Sequence, residues 1–120
     1  MKIAITSQDK TLDSLIDPRF GRCKYFVLYD TETKDFEIID NRQILNAAQG
    51  AGIQAAETVV RNGASWVLTG SCGPKAFRTL TAAGIKVVID IAGTVKEAIE
   101  KFQKSELKPS ESANVEGHWI

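Results

Sequence analysis

The chain lacks net charge, with fifteen Lys and Arg balancing fifteen Asp and Glu. That excludes a whole-molecule field drawing it onto nucleic acid or a membrane, so any basic site must be local. Long hydrophobic runs are missing too. No segment approaches the roughly 20 apolar residues of a membrane span, and the opening MKIAITSQDK is too briefly apolar for a signal-peptide core. The expected location is therefore the cytoplasm. Cysteine is scarce: Cys23 and Cys72 lie far apart without C-x-x-C spacing, which argues against a zinc ribbon or a disulfide framework and for reduced thiols. The one histidine, His118, stands beside Trp119 in the terminal EGHWI and reads as solvated.

A length of 120 residues suffices for one domain with its own core. KIAIT (2–6) reads as a first strand, followed by a long connection, 7–24, whose length suggests a working loop. YFVLYD and FEIIDN flank a polar TETKD turn and predict an antiparallel hairpin, with Tyr25, Val27 and Tyr29 on one face. Ile53, Ala56, Val59, Val60 and Gly63 predict a helix with a glycine stop. SWVLTG is then a strand. Pro74 suits a first helical turn, with Ala76, Phe77, Leu80 and Ala83 inward and Gly84 just past the end. IKVVID follows as the last strand, and Thr94 with Glu97 forms a capping box before Val95, Ala98, Ile99 and Phe102. The expected division is a domain over 1–103 and a mobile tail over 104–120.

The order βββαβαβα predicts an α/β fold with a five-stranded mixed sheet and three helices. If the first strand rises, the second descends and the other three rise, so every helix starts at the upper rim. Four segments then meet there: 7–24, 42–52, 70–74 and 91–94. Ligands of open α/β sheets sit at this end of the strands. Helix N-termini near Gly50, Pro74 and Thr94 would direct amide hydrogens at the rim and favour an anion. Glycines 50, 52, 70, 73 and 93 permit close backbone approach, and Arg19, Arg22, Lys24 and Lys75 add positive charge. Taken one at a time, these glycines serve equally as turns and these cations as solvated surface. Cys23 and Cys72 both belong to the rim, separated by about two strand spacings, too far for a disulfide. Each is either a small buried hydrophobe or a ligand for a soft metal.

Two catalytic patterns bear on the function. Cys72, five residues, Arg78 and Thr79 match the C-x5-R-[ST] loop of thiol phosphatases, although Pro74 should start the helix too early for a phosphate-wrapping loop. The element order also resembles that of ribonuclease H-like nucleases. Their two-metal chemistry needs carboxylates on central strands, and neither KIAIT nor SWVLTG has one.

DPRFGRCKYF, together with QGAGIQAAETVVRNGASWVLTGSCGPKAFRTLTAAGIKVV, resembles the dinitrogenase iron-molybdenum cofactor-binding family, which includes nitrogenase cofactor carriers and small orange proteins. The likeness spans about residues 1–103. It implies a ribonuclease H-like fold, no catalysis, and binding, storage or delivery of an anionic molybdenum-containing metal-sulfur cluster, either a molybdenum-copper sulfide or an iron-molybdenum type. By matching position, Arg19, Phe20, Gly21 and Arg22 would form one wall, Gly50, Gly52 and Ile53 a second, and Gly70, Cys72, Gly73 and Lys75 a third. Cys23 and Cys72 are the candidate metal ligands. The resemblance implies cluster-assembly or delivery proteins as partners, an ATPase among them, and neither nucleic acid nor membrane. Unlike carriers with histidine-containing segments, this chain has no His near the rim, which favours non-covalent, electrostatic holding. The rival expectations are a thiol phosphatase using Cys72 and Arg78, and a regulatory domain binding a nucleotide or a partner protein.

Overall fold

The computed structural model describes residues 1–45 and 50–114. The elements are β1 (Lys2–Ser7), β2 (Tyr25–Asp30), β3 (Phe36–Asp40), α1 (Arg42–Leu45), α2 (Ala51–Arg61), β4 (Ala64–Leu68), α3 (Pro74–Ala82), β5 (Lys86–Val88) and α4 (Val95–Gln103). The strands form one sheet in the order β3-β2-β1-β4-β5. β2 runs antiparallel to both β1 and β3, while β4 is parallel to β1 and to β5. The expected α/β architecture with a mixed sheet and three full helices is what forms. α1 adds a single turn in a stretch not expected to be helical, where Asp40 Oδ1 accepts the Arg42 amide at 2.9 Å and its carboxylate pairs with the Arg42 guanidinium.

Alternation along the strands divides the core in two. Ala4, Phe26, Leu28, Val67 and Val87 point to one face of the sheet, whereas Ile3, Ile5, Val27, Tyr29, Leu68 and Val88 point to the other. α2 and α3 cover the first face with Ala55, Ala56, Val59, Ala76, Phe77 and Leu80; α4 covers the second with Val95, Ala98 and Ile99. Full burial of one side chain such as Leu80 contributes roughly 1.5–3 kcal/mol. Helix ends follow the sequence signals: Pro74 occupies the first turn of α3, Gly63 and Gly84 take positive φ, and Thr94 with Glu97 closes a capping box on α4.

Two expected inward positions turn outward. Val60 is 40% exposed, because α2 meets the sheet through Ala51, Ala55, Ala56 and Val59 instead. Small alanines let the helix lie close, which rotates the bulkier Val60 out. Ala83 is the exposed C-cap of α3 rather than part of its buried stripe.

After α4 the chain wraps round the β5 edge. Leu107 packs on the α4 side, the Ser110 amide donates to Val87 O at 2.7 Å, Ser110 Oγ accepts from the Ile89 amide, and Ala113 packs on the α3 side. Of the stretch 104–120, expected as a mobile tail, residues 104–114 follow this hydrogen-bonded course and 115–120 lie outside the described residues.

Candidate functional site

The long connection after β1 is built in two parts. Residues 8–15 make a closed excursion whose ends pair through the Ser7–Ile16 bridge and the Gln8 amide to Leu15 O. Its inner side rests on the start of α4: the Val95 amide donates to Ser14 O at 2.9 Å and the Lys96 amide to Leu12 O at 2.8 Å. Thr94 Oγ1 accepts from the Glu97 amide. The α4 N-terminus, expected to offer amides to an anion, is therefore occupied by its own cap and by this excursion. The physical reason is local, since a buried amide left without an acceptor is costly and carbonyls lie within reach.

Residues 17–23 then cross the rim. The Asp17 amide donates to Thr6 O, and Arg19 bridges Ser71 in parallel register. The Phe20 amide donates to Ser71 O at 3.0 Å, and Ser71 Oγ donates to Pro18 O at 2.6 Å. Gly70 lies so close to Pro18 that an added Cβ would stand 2.7 Å from its Cα. At the other end, a Cβ on Gly21 would stand 2.8 Å from both the Cα and N of Gly52, at the start of α2. Gly21 and Gly70 thus serve loop-to-loop packing, a closer use of glycine than the open cradle expected.

Asn41 fastens the α2 side from beneath. Fully buried, its Nδ2 donates to Cys23 O at 2.9 Å and Gly21 O at 3.3 Å and lies 3.6 Å from Cys23 Sγ, while its Oδ1 has no partner among the described residues. On the β4 side, Asn114 fastens the rim from outside. Its Oδ1 accepts from the Cys72 amide at 2.9 Å, its Nδ2 donates to Gly70 O at 3.1 Å and Asp90 Oδ1 at 3.3 Å, and its own amide donates to Cys72 O. Sequence reasoning missed both asparagines. The polar DN after the third strand was legible only as a strand end, and nothing local marks Asn114.

Among the described residues the segments expected to meet do meet, with 46–49 of the second lying outside them, but their residues differ in exposure. Lys24, Lys75 and Gly50 are exposed, and Arg19 half-exposed; Arg22, Gly52, Ile53 and Gly70 are half-buried; Gly73 is buried. Gly50 and Gly73 are the N-caps of α2 and α3, and neither carries a side-chain cap. Phe20, Cys23 and Cys72 are wholly buried. Phe20 is a pillar under the rim, its ring 5.4 Å from that of Phe26. Burial pushes the Cys72 thiol up to about 12, and burial with the nearby Asp17 charge pushes Cys23 up as well, so both stay protonated. Burial also raises Asp17, whose Oδ1 accepts from the Arg19 amide at 3.1 Å and lies 3.9 Å from Arg19 Nε.

The phosphatase geometry is not met. The C-x5-R pattern needs a lowered thiol and a loop of free amides, whereas Cys72 is raised and buried, α3 starts at Pro74, and Arg78 is exposed on the helix. Among the described residues no group of three or more His, Cys, Asp or Glu is placed to hold a metal ion. No described helix is long and apolar enough to cross a membrane. His118 and Trp119 lie outside the described residues.

This rim belongs to a recognisable sequence pattern: residues 1–105 match the family described as dinitrogenase iron-molybdenum cofactor. The chain belongs to the dinitrogenase iron-molybdenum cofactor family. Within reach of this family assignment stand several similar proteins. The apo orange protein of Desulfovibrio gigas superposes with a TM-score of 0.93 at 42% identity, over 95% of this chain and 96% of that one. A Thermotoga protein provisionally called NifB gives 0.83 at 36% identity, over 97% and 98% of the two chains. An uncharacterised protein of Methanocaldococcus jannaschii is 30% identical over 114 residues, 92% of each chain.

Proposed function

We propose that this family member is a non-catalytic carrier whose rim binds, shields or hands on an anionic molybdenum-containing metal-sulfur cluster. The observation that carries the reading is the crossing of residues 17–23 from Ser71 to Gly52. It brings Arg19 and the adjoining Lys24 to the same end of the sheet as two glycine-capped helix starts, one of which carries Lys75, in a chain with no overall charge. Such a grouping suits a large, diffuse anion, which gains from several hydrogen bonds and dipoles at once. Protonated, buried thiols favour holding by charge and hydrogen bonds over thiolate ligation. Likeness to an orange protein supports the molybdenum-copper sulfide form of the cargo, and the family description supports an iron-molybdenum form.

The rest of the reading follows from this one. Cargo of this kind needs assembly or delivery proteins, an ATPase among them, and the cytoplasm suits an oxygen-sensitive cluster. The strand order with an antiparallel second strand supports a ribonuclease H-like fold. Apo-protein mixed with tetrathiomolybdate and copper is expected to develop charge-transfer bands that follow it through gel filtration and fade as salt rises. Arg19→Glu should weaken that colour, while Cys23→Ser and Cys72→Ser retain it. No retained colour would end the carrier reading. Loss of colour in both cysteine variants, with no effect of salt, would replace electrostatic holding by ligation.

A further inference from the structure

The two edges of the sheet are treated differently. At the β5 edge the wrapping chain covers the backbone, with the Ser110 amide donating to Val87 O and Ser110 Oγ accepting from the Ile89 amide. β3, the opposite edge, has no such cover among the described residues. The Asn41 amide donates to Lys24 O and the Asp30 amide to Asp35 O, which sets the phase of the antiparallel ladder between them. Glu37 and Ile39 therefore exchange hydrogen bonds with β2, while the amides and carbonyls of Phe36 and Ile38 point away from it. The register runs without a bulge from Tyr25–Asp40 to Tyr29–Phe36, and the strand contains no proline. Side chains alternate along this open edge. Phe36, 42% exposed, and Ile38 lie on the α4 face; Glu37 lies on the other, where it lines a cleft with Leu28, Asp30 and Asp35 at the end of the sheet opposite the rim. Three carboxylates there face one ammonium, that of Lys2, and among the described residues neither Asp35 nor Glu37 forms an ion pair.

We propose that β3 is a docking edge on which a segment of another protein, extended and alternating basic with apolar residues, adds as a further strand of the sheet. Backbone pairing would satisfy the Phe36 and Ile38 amides and carbonyls, which supplies affinity without regard to sequence. The side chains then choose the partner. Cross-strand neighbours of Asp35 and Glu37 are favourable when basic, and those of Phe36 and Ile38 when apolar. The same charge works against a second copy of this chain: antiparallel pairing about Ile38 would set both Glu37 carboxylates on one diagonal, within reach of like-charge repulsion. Acidic side chains thus guard the edge from its own kind, as charges on open strands do, while leaving it receptive to a basic one. The inference goes beyond the carrier reading and does not rest on it, because the acidic cleft lies at the far end of the sheet from the rim.

The test uses the full chain and a pair of short blocked peptides, one alternating lysine with valine and the other glutamate with valine, with amide exchange followed by NMR. The lysine peptide at saturation should slow exchange of the Phe36 and Ile38 amides by at least about tenfold, and its affinity should fall as salt rises. The glutamate peptide should leave both amides unchanged. Glu37→Lys, a change on an exposed side chain, should weaken binding of the lysine peptide by roughly three- to tenfold. Equal protection by both peptides, no protection by the lysine peptide, or undiminished affinity in Glu37→Lys would overturn the proposal. Protection of Ile38 that rises with protein concentration alone, together with a doubled mass in sedimentation, would give the edge to a second copy and overturn the basic partner. None of these readouts involves bound colour, so the carrier reading stands or falls separately. If Glu37→Lys does not fold, the peptide pair on wild type decides alone.

Discussion

The two sides of the rim are closed by different means. On the α2 side, Gly21 meets Gly52 backbone to backbone, and Asn41 ties Gly21 and Cys23 from within the core. On the β4 side, part of the closure comes from Asn114, an exposed side chain arriving from the far end of the chain. The first kind of wall has no low-cost alternative arrangement, since opening it would empty packed space and strand buried polar groups. The second would exchange one set of hydrogen bonds for water, because Asn114 is exposed. One side is fixed by backbone packing, and the other is held by hydrogen bonds from an exposed side chain.

The strongest way to break this contrast is to remove the pillar beneath the fixed wall. Phe20→Ala should cost about 3–5 kcal/mol in urea unfolding; a loss below about 1 kcal/mol would show that the wall is soft. Thiol accessibility sharpens the same point. With Cys72 raised to about 12 and both cysteines fully buried, native protein at mildly alkaline pH should react with an aromatic disulfide at least about a hundredfold more slowly than unfolded protein. A fast native phase removed by Cys72→Ser would mean the β4 side opens far more than its hydrogen bonds imply.

A smaller effect comes from pairing two substitutions. Gly21→Ala places a Cβ 2.8 Å from Gly52 backbone atoms, and such overpacking should cost about 1–3 kcal/mol. Asn114→Ala should cost about 1 kcal/mol or less, measured by the same unfolding curves. Equal costs would erase the distinction between fixed and latched walls. The smallest expected effect is electrostatic. Burial lifts Asp17 above its ordinary value of 3.8, so the folded chain keeps this proton to higher pH than the unfolded one. The resulting stability is complete below 3.8 and is lost as pH rises through the folded value. Asp17→Asn should therefore gain on wild type as pH is raised from about 4 to about 7. A stability difference that stays flat over that interval would show the carboxyl to be unshifted.

Much of this architecture was legible because it is written in short-range patterns. The alternation in YFVLYD put Tyr25, Val27 and Tyr29 on one face of the sheet, Pro74 marked the start of α3, and Thr94 with Glu97 marked that of α4. On α2 the expected stripe holds at Ala56 and Val59 but not at Val60, because alanine carries little periodic signal and packing through Ala51 and Ala55 turns Val60 out. At the rim, chain order was enough to bring the loops to one end, yet not to tell which amides stay available. Those of α4 are taken by Ser14 and Leu12 carbonyls some eighty residues away.

By itself, the sequence determined the succession of the five strands and three longer helices and the end of the sheet at which the connections gather, because each depends on neighbours within a turn or two of chain. Only the tertiary structure decided that Gly21 and Gly70 join loops, that both thiols are sealed and protonated, and that Asn114 returns to the Cys72 amide. Those outcomes depend on backbone distances between remote segments, which local preference leaves open and the packed sheet fixes.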